Sequence, residues 1–203
     1  MERALVVVGS GGHAKVVIAS AQAAGFAVTA VVDDDPARWG QHVLGVAISG
    51  PASPILEDPA ALAVLAIGAN RARRARADHA RCQFATVVHP RAVVHPSVRI
   101  GAGSVVFAGA VIQPDTAIGG HAIVNTAASI DHDCVLGDFV HVAPGVRLAG
   151  SVVLGEGAML GIGTVAIPGA RVGAWSVVGA GAAILGELPA NVVAIGTPAR
   201  PRR

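Results

Sequence analysis

Aromatic side chains are scarce in this chain of 203 residues, which has four Phe, two Trp and no Tyr. Charged residues are also few, at 14%, and the formal net charge of +2 is too small to indicate nucleic acid as a partner. Apolar residues make up 53%, which excludes intrinsic disorder, and the 26 Gly and 12 Pro exclude a coiled coil. We therefore expect a folded core of small aliphatic side chains with many turns.

Cysteines and long apolar runs are lacking as well. Cys82 and Cys134 form neither a disulfide framework nor the spacing of a zinc site. The longest uncharged segment, residues 16–32, is interrupted by polar residues and glycine, so it lacks the ~20 consecutive apolar residues that span a bilayer. The N-terminal Met1-Glu2-Arg3 soon reaches a glycine turn, which leaves no room for a signal-peptide apolar region. These features predict a cytoplasmic protein without membrane insertion.

A six-residue repeat occupies residues 87–188. The segment divides into 17 hexads without an insertion, and the second position is Val, Ile or Leu in 16 of them, Ala166 being the exception. Gly and Pro recur at the third to fifth positions and turn the chain at a constant phase. This period does not fit an α-helix. It predicts a triangular parallel β-solenoid of between five and six coils, with three strands in each coil.

The first 85 residues follow a different pattern. Residues 5–8 read as a buried strand, residues 9–12 as a glycine turn and residues 14–24 as a helix. Further strands are expected at 27–32 and 62–67, and an arginine-rich helix at 70–81. Strand, glycine turn, helix and strand form a βαβ unit. We therefore predict a Rossmann-like α/β domain at 1–85, rigidly joined to a solenoid domain at 86–203.

The glycine turn carries a nucleotide-binding pattern. Gly9-Ser10-Gly11 with Ala14 fits G-x-G-x-x-A, in which backbone amides and the helix N-terminus face a phosphate. Asp33-Asp34 ends the next strand, where a carboxylate can accept hydrogen bonds from ribose or base. His13 and Lys15 begin the helix and could contact phosphate or sugar. The alternative is an ordinary tight βα turn with an acidic strand end and a solvated Lys15.

A candidate general base lies in the solenoid. His132 takes the fourth position of its hexad, a corner where other hexads have Pro, so its ring should project outward. Pro114 and Gly150, one coil away on either side, should leave the space around the ring open. A carboxylate from Asp131 or Asp133 can hold the imidazole in one tautomer and raise its basicity. The alternative is a solvated His-Asp turn.

A second histidine opens the hexad after next. His141 should lie about one prism face from His132, so the two could share a site only across a subunit boundary, which predicts an oligomer. A surface histidine is the alternative. We also considered the three-histidine zinc site of the solenoid-forming γ-type carbonic anhydrases. The spacings of nine residues from His132 to His141 and six from His89 to His95 do not match that class, and we expect no metal.

At these residues the chain resembles the NeuD/PglD-type sugar acyltransferases, bacterial acetyl-CoA-dependent enzymes of nucleotide-sugar and sialic acid pathways. The resemblance covers essentially the whole chain. It is carried by residues 9–13, 33–34, 67–70, 125–150 and 196–200, of which the central run is the specific part. It implies a left-handed β-helix, a homotrimer with active sites between subunits, and a nucleotide-sugar held by the N-terminal domain. The left hand does not follow from the hexads and departs from the usual crossover rule.

The resemblance also implies roles for particular residues. His132 would be the general base and Asp133 would orient it, although the flanking Asp131 leaves that choice open. The nucleotide-sugar would be bound by Gly9, Gly11, Gly12, His13, Asp33, Asp34 and Asn70. The acetyl-CoA would be bound by Asn125, His141, Gly150, Ile162 and Arg200. The C-terminal tail contains three arginines that could contact CoA phosphates: Arg200, Arg202 and Arg203. The alternative is a frayed basic tail without a ligand.

The predicted reaction is a direct acetyl transfer to the amino group of a nucleotide-linked sugar. His132 would remove a proton from the amine as its nitrogen attacks the thioester, and a backbone amide such as that of Gly150 would stabilise the oxyanion. Three alternatives stay open: O-acetylation of sialic acid, nicotinamide binding, and a non-catalytic nucleotide-binding solenoid. Half a Rossmann domain argues against the second, and the His132 constellation against the third. The sequence does not name the nucleotide, the sugar or the acyl chain length.

Overall fold

The computed structural model describes residues 3–202. Its N-terminal part is a four-stranded parallel sheet flanked by helices, and the strands follow one another across the sheet in the order β2 (Phe26–Val32), β1 (Arg3–Val8), β5 (Leu62–Leu65) and β6 (Gln83–Phe84). The elements are β1 (Arg3–Val8), α1 (Gly12–Ala23), β2 (Phe26–Val32), a 3₁₀ helix (Pro36–Arg38), the β3–β4 hairpin (His42–Val43 and Val46–Ala47), α2 (Ser53–Glu57), β5 (Leu62–Leu65), α3 (Asn70–Ala77) and β6 (Gln83–Phe84). The predicted Rossmann-like architecture is confirmed.

The predicted end of the arginine-rich helix differs from the structure. Helix α3 ends at Ala77 rather than at residue 81, because the chain turns there and the N–H groups of Arg81 and Cys82 donate to Leu56. The segment after α3 adds a strand, since Gln83–Phe84 joins the sheet beside β5. The solenoid begins almost at once, at Val87.

The solenoid has three faces, each a stack of short parallel strands. The first face comprises β7 (Val87–Val88), β10 (Val105–Val106), β13 (Ile123–Val124), β16 (His141–Val142), β19 (Met159–Leu160), β22 (Val177–Val178) and β25 (Val193–Ile195). The second comprises β8 (Val93–Val94), β11 (Val111–Ile112), β14 (Ser129–Ile130), β17 (Arg147–Leu148), β20 (Val165–Ala166) and β23 (Ala183–Ile184). The third comprises β9 (Arg99–Ile100), β12 (Ala117–Ile118), β15 (Val135–Leu136), β18 (Val153–Leu154), β21 (Arg171–Val172) and β24 (Glu187–Leu188).

The end of the solenoid departs from the hexad period. Glu187 pairs with Arg171, 16 residues earlier, whereas strands in the preceding coils pair at a spacing of 18. The corner between β23 and β24 is therefore two residues shorter than its predecessors. Strand β25 follows beyond the last hexad, so the faces form six coils plus one strand. Strand β26 (Arg200–Pro201) then turns back antiparallel on β25.

The core follows the predicted register. Second-position side chains such as Ile130 and Leu148 point inward and are buried, as are sixth-position residues such as Ala128. Cys134 is completely buried at a sixth position, as expected for a core residue. One large aliphatic side chain per strand thus stacks on the next and supplies most of the solenoid's apolar burial.

The N-terminal domain lies against the first face. Side chains of α1, among them Val17 and Ile18, share one apolar cluster with Val105 and Phe107 of the solenoid. Helix α3 lies near the corner that joins the third face to the first, where Arg74 pairs with Glu156 at 2.9 Å. Within residues 3–202, no helix combines the length and the apolar character needed to cross a membrane.

Candidate active site

His132 stands at the corner between the second and third faces, directly after β14, with 57% of its side chain exposed. Its Nδ1 lies 2.7 Å from Oδ2 of Asp133. Asp131 makes a different contact, because its Oδ1 accepts the backbone N–H of His132 at 2.8 Å. A carboxylate cannot donate, so Nδ1 carries the proton in this pair and Nε2 is left with its lone pair. The structure therefore places Asp133, and not Asp131, on the imidazole.

Backbone geometry sets this pair. Asp133 has a φ of 58°, in the left-handed region that Asp tolerates better than most residues. Its N–H donates to the carbonyl of Pro114, one coil earlier, at 3.1 Å. The hydrogen bond that Nδ1–H donates to Asp133, aided by the charge of Asp131, raises the pKa of His132 above its usual value. The imidazole is thereby made a stronger base.

Gly150 explains the position of the His132 ring. A Cβ placed at Gly150 would lie 2.6 Å from Cε1 and 2.7 Å from Nε2 of His132, closer than any real contact. The ring therefore rests directly on this glycine, and the expectation of open space on that side was wrong. The Gly150 N–H takes part in no backbone hydrogen bond within residues 3–202, as suits a hexad position that Pro often fills.

His141 is not a surface histidine. It lies on β16 under the N-terminal domain and is only 9% exposed. Its Nδ1 is 3.3 Å from the carbonyl of Gly68, and its Nε2 is 3.3 Å from Nδ2 of Asn125. Burial, and then the nearby charge of Arg73, lower the pKa of His141 to about 4. It is therefore a neutral ring near pH 7.

His13 meets His141 across the domain junction. Their ring centroids are 6.2 Å apart, and His13 packs edge-on against Phe107 at 5.5 Å. Nε2 of His13 is buried and has no hydrogen-bond partner among residues 3–202. Burial, and then Arg73, lower the pKa of His13 to about 4. The resemblance assigned His13 to the nucleotide-sugar, and Asn125 and His141 to acetyl-CoA. In the structure these three residues lie together at the domain junction, and we call them the junction cluster.

The glycine turn leaves backbone exposed at the start of helix α1. Gly9 has a φ of +100°, and an added Cβ there would meet the carbonyl of Ala66 at 3.2 Å. Around Gly11 and Gly12, in contrast, no atom of residues 3–202 other than their own chain neighbours and the backbone of α1 lies within 4 Å of where a Cβ would stand. Helix α1, which starts here, has neither a side-chain cap nor an acidic residue in its first turn. Its free N–H groups and positive dipole end suit an anion such as phosphate.

Asp33 supports this turn from within the protein. Its Oδ2 accepts hydrogen bonds from N and Oγ of Ser10 at 2.7 and 2.6 Å, and its Oδ1 accepts from N of Asp35 at 3.0 Å. Burial opposes ionisation, but these hydrogen bonds and the charge of Arg38 prevail and lower the pKa of Asp33. The ionised carboxylate holds the glycine turn; direct ligand binding by Asp33 stays a prediction.

Asp34 lies on a small cavity at the carboxyl ends of the parallel strands, the usual ligand-binding edge of such sheets. Its Oδ1 accepts from N of Ala52 at 2.9 Å, and its other oxygen pairs with Arg76 of α3. These three residues, with Gly9 and others, line a cavity of about 150 Å³. Of the two acidic residues, Asp34 has the more open position.

Asn70 has a position that sequence reasoning did not anticipate. Only 9% of it is exposed, and its Nδ2 donates to the carbonyl of Gly157 at 3.0 Å. Its Oδ1 accepts from Nη2 of Arg73 at 3.0 Å. The amide thus ties α3 to the solenoid with both ends occupied, a placement that does not favour the predicted contact with substrate.

Three arginines near these sites were not predicted from the sequence as functional residues. Arg38 reaches the glycine turn, where its Nη2 donates to the carbonyl of Ser10 at 2.6 Å. Arg76 lines the small cavity, and Arg73 is buried at the domain junction. The arginine-rich pattern of α3 was visible in the sequence, but nothing in it distinguishes the buried arginine from its exposed neighbours.

Comparison with known proteins agrees with this architecture. Residues 4–80 match the model of the PglD N-terminal domain. The whole chain is similar to perosamine N-acetyltransferase from Caulobacter crescentus, solved as a histidine variant with CoA and GDP-perosamine: 45% identity, 98% of this chain and 97% of that one covered, TM-score 0.91. The chain belongs to the NeuD/PglD-type family of sugar acetyltransferases. Its solenoid is accordingly the left-handed β-helix of these enzymes.

Two further relatives extend the comparison. The acetyltransferase domain of PglB from Neisseria gonorrhoeae, solved with acetyl coenzyme A, is 36% identical, with full coverage of both chains and a TM-score of 0.91. Galactoside O-acetyltransferase from Lactococcus lactis is 44% identical over only 52 residues, 26% of this chain and 25% of its own length. The relation to the NeuD/PglD-type family thus spans the chain, whereas the match to the O-acetyltransferase covers a small part.

The other residues assigned to acetyl-CoA lie apart from the two histidine clusters. Ile162 is exposed at the corner between the first and second faces. Arg200 on β26 lines a groove of about 370 Å³ with Leu185 and Pro198 near the end of the solenoid. Arg203 lies outside the described residues. Within residues 3–202, no group of three or more His, Cys, Asp or Glu side chains is arranged to hold a metal ion.

Proposed function

We propose that this protein transfers the acetyl group of acetyl-CoA to the amino group of a nucleotide-linked amino sugar. The observation that carries the proposal is the exposed His132–Asp133 pair seated on Gly150. Relatives with which the chain aligns almost end to end were solved with CoA and GDP-perosamine or with acetyl coenzyme A. Histidine is also the side chain best suited to accept a proton near neutral pH.

The reaction proceeds by direct transfer. Nε2 of His132 takes a proton from the sugar amine while the amine nitrogen attacks the thioester carbonyl. The C–N bond forms, the C–S bond breaks, and the proton passes from Nε2 to the departing sulfur of CoA. A positioned base of this kind contributes about 10²–10⁴-fold to the rate. Asp133 holds Nδ1–H throughout, so that Nε2 faces the reacting amine.

Charge on the carbonyl oxygen is stabilised by a backbone amide. Gly150 contacts the His132 ring, and its N–H is not used by the solenoid's ladders within residues 3–202. A donor of this type typically contributes about 10²–10³-fold. Cys134, the nearest thiol in sequence, is fully buried, and burial raises the pKa of its thiol, which argues against an acyl-enzyme.

The nucleotide binds at the carboxyl edge of the N-terminal sheet. Its phosphates meet Gly11, Gly12 and the free N–H groups at the start of α1, with the guanidinium of Arg38 beside them. The nucleoside faces the cavity lined by Asp34 and Arg76. The bound sugar then extends from the domain junction toward a general base.

That base belongs to a neighbouring subunit in the proposed homotrimer. His132 lies at the corner between the second and third faces, whereas the junction cluster is on the first face. The outer faces also carry exposed valines, Val93, Val135 and Val165, at 64%, 49% and 44%. Contact with a second copy would bury this apolar surface and bring the His132 corner to the neighbour's junction.

The test is thiol release from acetyl-CoA with a panel of acceptors: GDP- and UDP-linked 4-amino sugars, CMP-sialic acid and free sialic acid. Release with an amino sugar, lost in His132→Asn, is the expected result and names the nucleotide. Release with sialic acids alone would replace N-acetylation by O-acetylation. Undiminished turnover in His132→Asn would overturn the mechanism.

A further inference from the structure

Arg73 of α3 is a buried cation without an anionic partner. Only 1% of it is exposed, and no carboxylate pairs with it among residues 3–202. Its donors reach neutral oxygens instead: His121 O at 2.8 Å, Ile67 O at 2.9 Å, Gly68 O at 3.2 Å, Asn70 Oδ1 at 3.0 Å and Phe139 O at 2.8 Å. Burying an unpaired guanidinium is costly, so its retention calls for a reason other than net stability.

The oxygens that Arg73 holds belong to two separate parts of the protein. Ile67 and Gly68 follow β5, at the edge of the sheet where the nucleotide is proposed to bind. His121 and Phe139 lie on the corner of the solenoid that leads into the first face. One guanidinium therefore fixes the distance between the nucleotide-binding edge and the face that carries His141.

The carbonyl of Gly68 connects Arg73 to His141. It accepts from Nη1 of Arg73 at 3.2 Å and lies 3.3 Å from Nδ1 of His141. His141 thus takes its tautomer and orientation from a carbonyl that Arg73 holds in place. Asn125 then reaches the opposite ring nitrogen.

We propose that Arg73 is a positioning residue for acetyl transfer: through the shared carbonyl of Gly68 it holds His141, and with it the His13–His141 pair, where the nucleotide-sugar domain meets the solenoid. The proposal rests on the proposed function for its effect on rate, but not for its effect on the two imidazoles. Nε2 of His13, which has no hydrogen-bond partner in the described part of the chain, is the hydrogen-bonding atom that this arrangement leaves for a bound sugar.

The charges around the pair support this role. Arg73 from α3 is the charged side chain that acts on both rings, and each imidazole otherwise faces the other; Asn125 and Phe107 are neutral. Burial comes first and Arg73 second in lowering both pKa values to about 4. A neutral His13 can accept a hydrogen bond from a sugar N–H or O–H, which an imidazolium cannot do.

The experiment compares Arg73→Gln with Arg73→Lys in the full-length protein. ¹⁵N NMR titration of the histidine rings requires no substrate, so its result does not depend on the proposed function. In Arg73→Gln the pKa values of His13 and His141 should rise, while that of His132 stays unchanged. Arg73→Lys should keep them low because it retains the charge. Thiol-release kcat should fall about 10–100-fold in both variants, because neither holds the carbonyl as a guanidinium does.

Arg74→Gln is the matched control, since Arg74 is the next residue of α3, is 44% exposed and pairs with Asp78 and Glu156. It should leave both ring titrations and kcat at wild-type values. Unchanged ring titrations and kcat in a folded Arg73→Gln would overturn the proposal. If Arg74→Gln changed the titrations and kcat as much as Arg73→Gln does, the effects would come from the loss of any positive charge on α3, and the specific role of Arg73 would be overturned as well. If Arg73→Gln fails to fold, Arg73→Lys decides, because it keeps the charge: a wild-type kcat in folded Arg73→Lys would overturn the positioning of the Gly68 carbonyl by the guanidinium.

Discussion

Replacing Gly150 by alanine should disable the base without unfolding the protein. The new Cβ would stand 2.6 Å from Cε1 of His132, whereas ordinary contacts begin at 3.4 Å, so the ring must move by about 0.8 Å. Gly150 does not have a left-handed φ, so the backbone accepts alanine. The ring is exposed and can swing into solvent, so the free energy of unfolding should change by no more than about 1 kcal/mol.

Catalysis should be far more sensitive. A misplacement of about 1 Å can cost on the order of 10²-fold in rate, and the whole base is worth about 10²–10⁴-fold. We therefore expect Gly150→Ala to reduce kcat for thiol release by about 100-fold. The swing also separates Nδ1 from Asp133, so part of the loss comes from a base that is no longer fixed in one tautomer.

A double-mutant cycle with His132→Asn isolates this cause. If the methyl group acts only by displacing the ring, Gly150→Ala should add almost no further loss in the His132→Asn background. Additive losses would show that the alanine damages something else, such as the oxyanion donor. A Gly150→Ala enzyme with wild-type kcat would refute the placement of His132 on Gly150 as part of the active site.

Three further predictions follow from the geometry. In Asp133→Asn, the acid limb of the kcat/KM–pH profile should move to lower pH, because the carboxylate that raises the pKa of His132 is gone; Asp131→Asn should move it less, and equal shifts would contradict the assigned contact. His13, His121 and His141, with folded pKa values lowered to about 4 from 6.5, take up protons on unfolding, so stability is complete above pH 6.5 and falls toward pH 4. Denaturant titrations should give slopes up to about 1.4 kcal/mol per pH unit for each histidine, and a flat profile would refute the burial of these rings. Gly155→Ala, whose Cβ would meet the backbone N of Ala174 at 2.6 Å, should lower the unfolding free energy by about 1–3 kcal/mol, whereas Gly186→Ala, with nothing within 4 Å, should melt like the wild type.

The solenoid could be predicted closely because its determinants are local. One aliphatic residue at a fixed phase specifies which side chain points inward, and the burial of Ile130 and Cys134 follows from counting alone. The position of His132 in its hexad likewise predicted that its side chain points outward at a corner of the solenoid. Counting hexads no longer gives the correct strand positions after β23, because the next corner is two residues shorter. Nothing in the repeat pattern indicates this shortening.

The domain junction could not be predicted, because its contacts join distant segments. His141 meets Gly68, 73 residues away, and Asn70 meets Gly157, 87 residues away. A hexad pattern shows that His141 points outward from its strand, but not that another domain covers it. For the same reason the arginine pattern of α3 could not reveal that Arg73 is buried.

The two histidine clusters have opposite environments, and their difference bears on the assembly. The junction cluster is buried and kept neutral, whereas His132 rests on Gly150 on one side and is otherwise more than half exposed at its corner. Proton transfer from an amine benefits when water is excluded and the reacting groups are fixed. The exposed base can gain this only from a second surface. The junction of a neighbouring subunit, from which the bound sugar is proposed to extend, would supply that surface. The proposed trimer is therefore a requirement of the mechanism as well as a way to bury exposed valines.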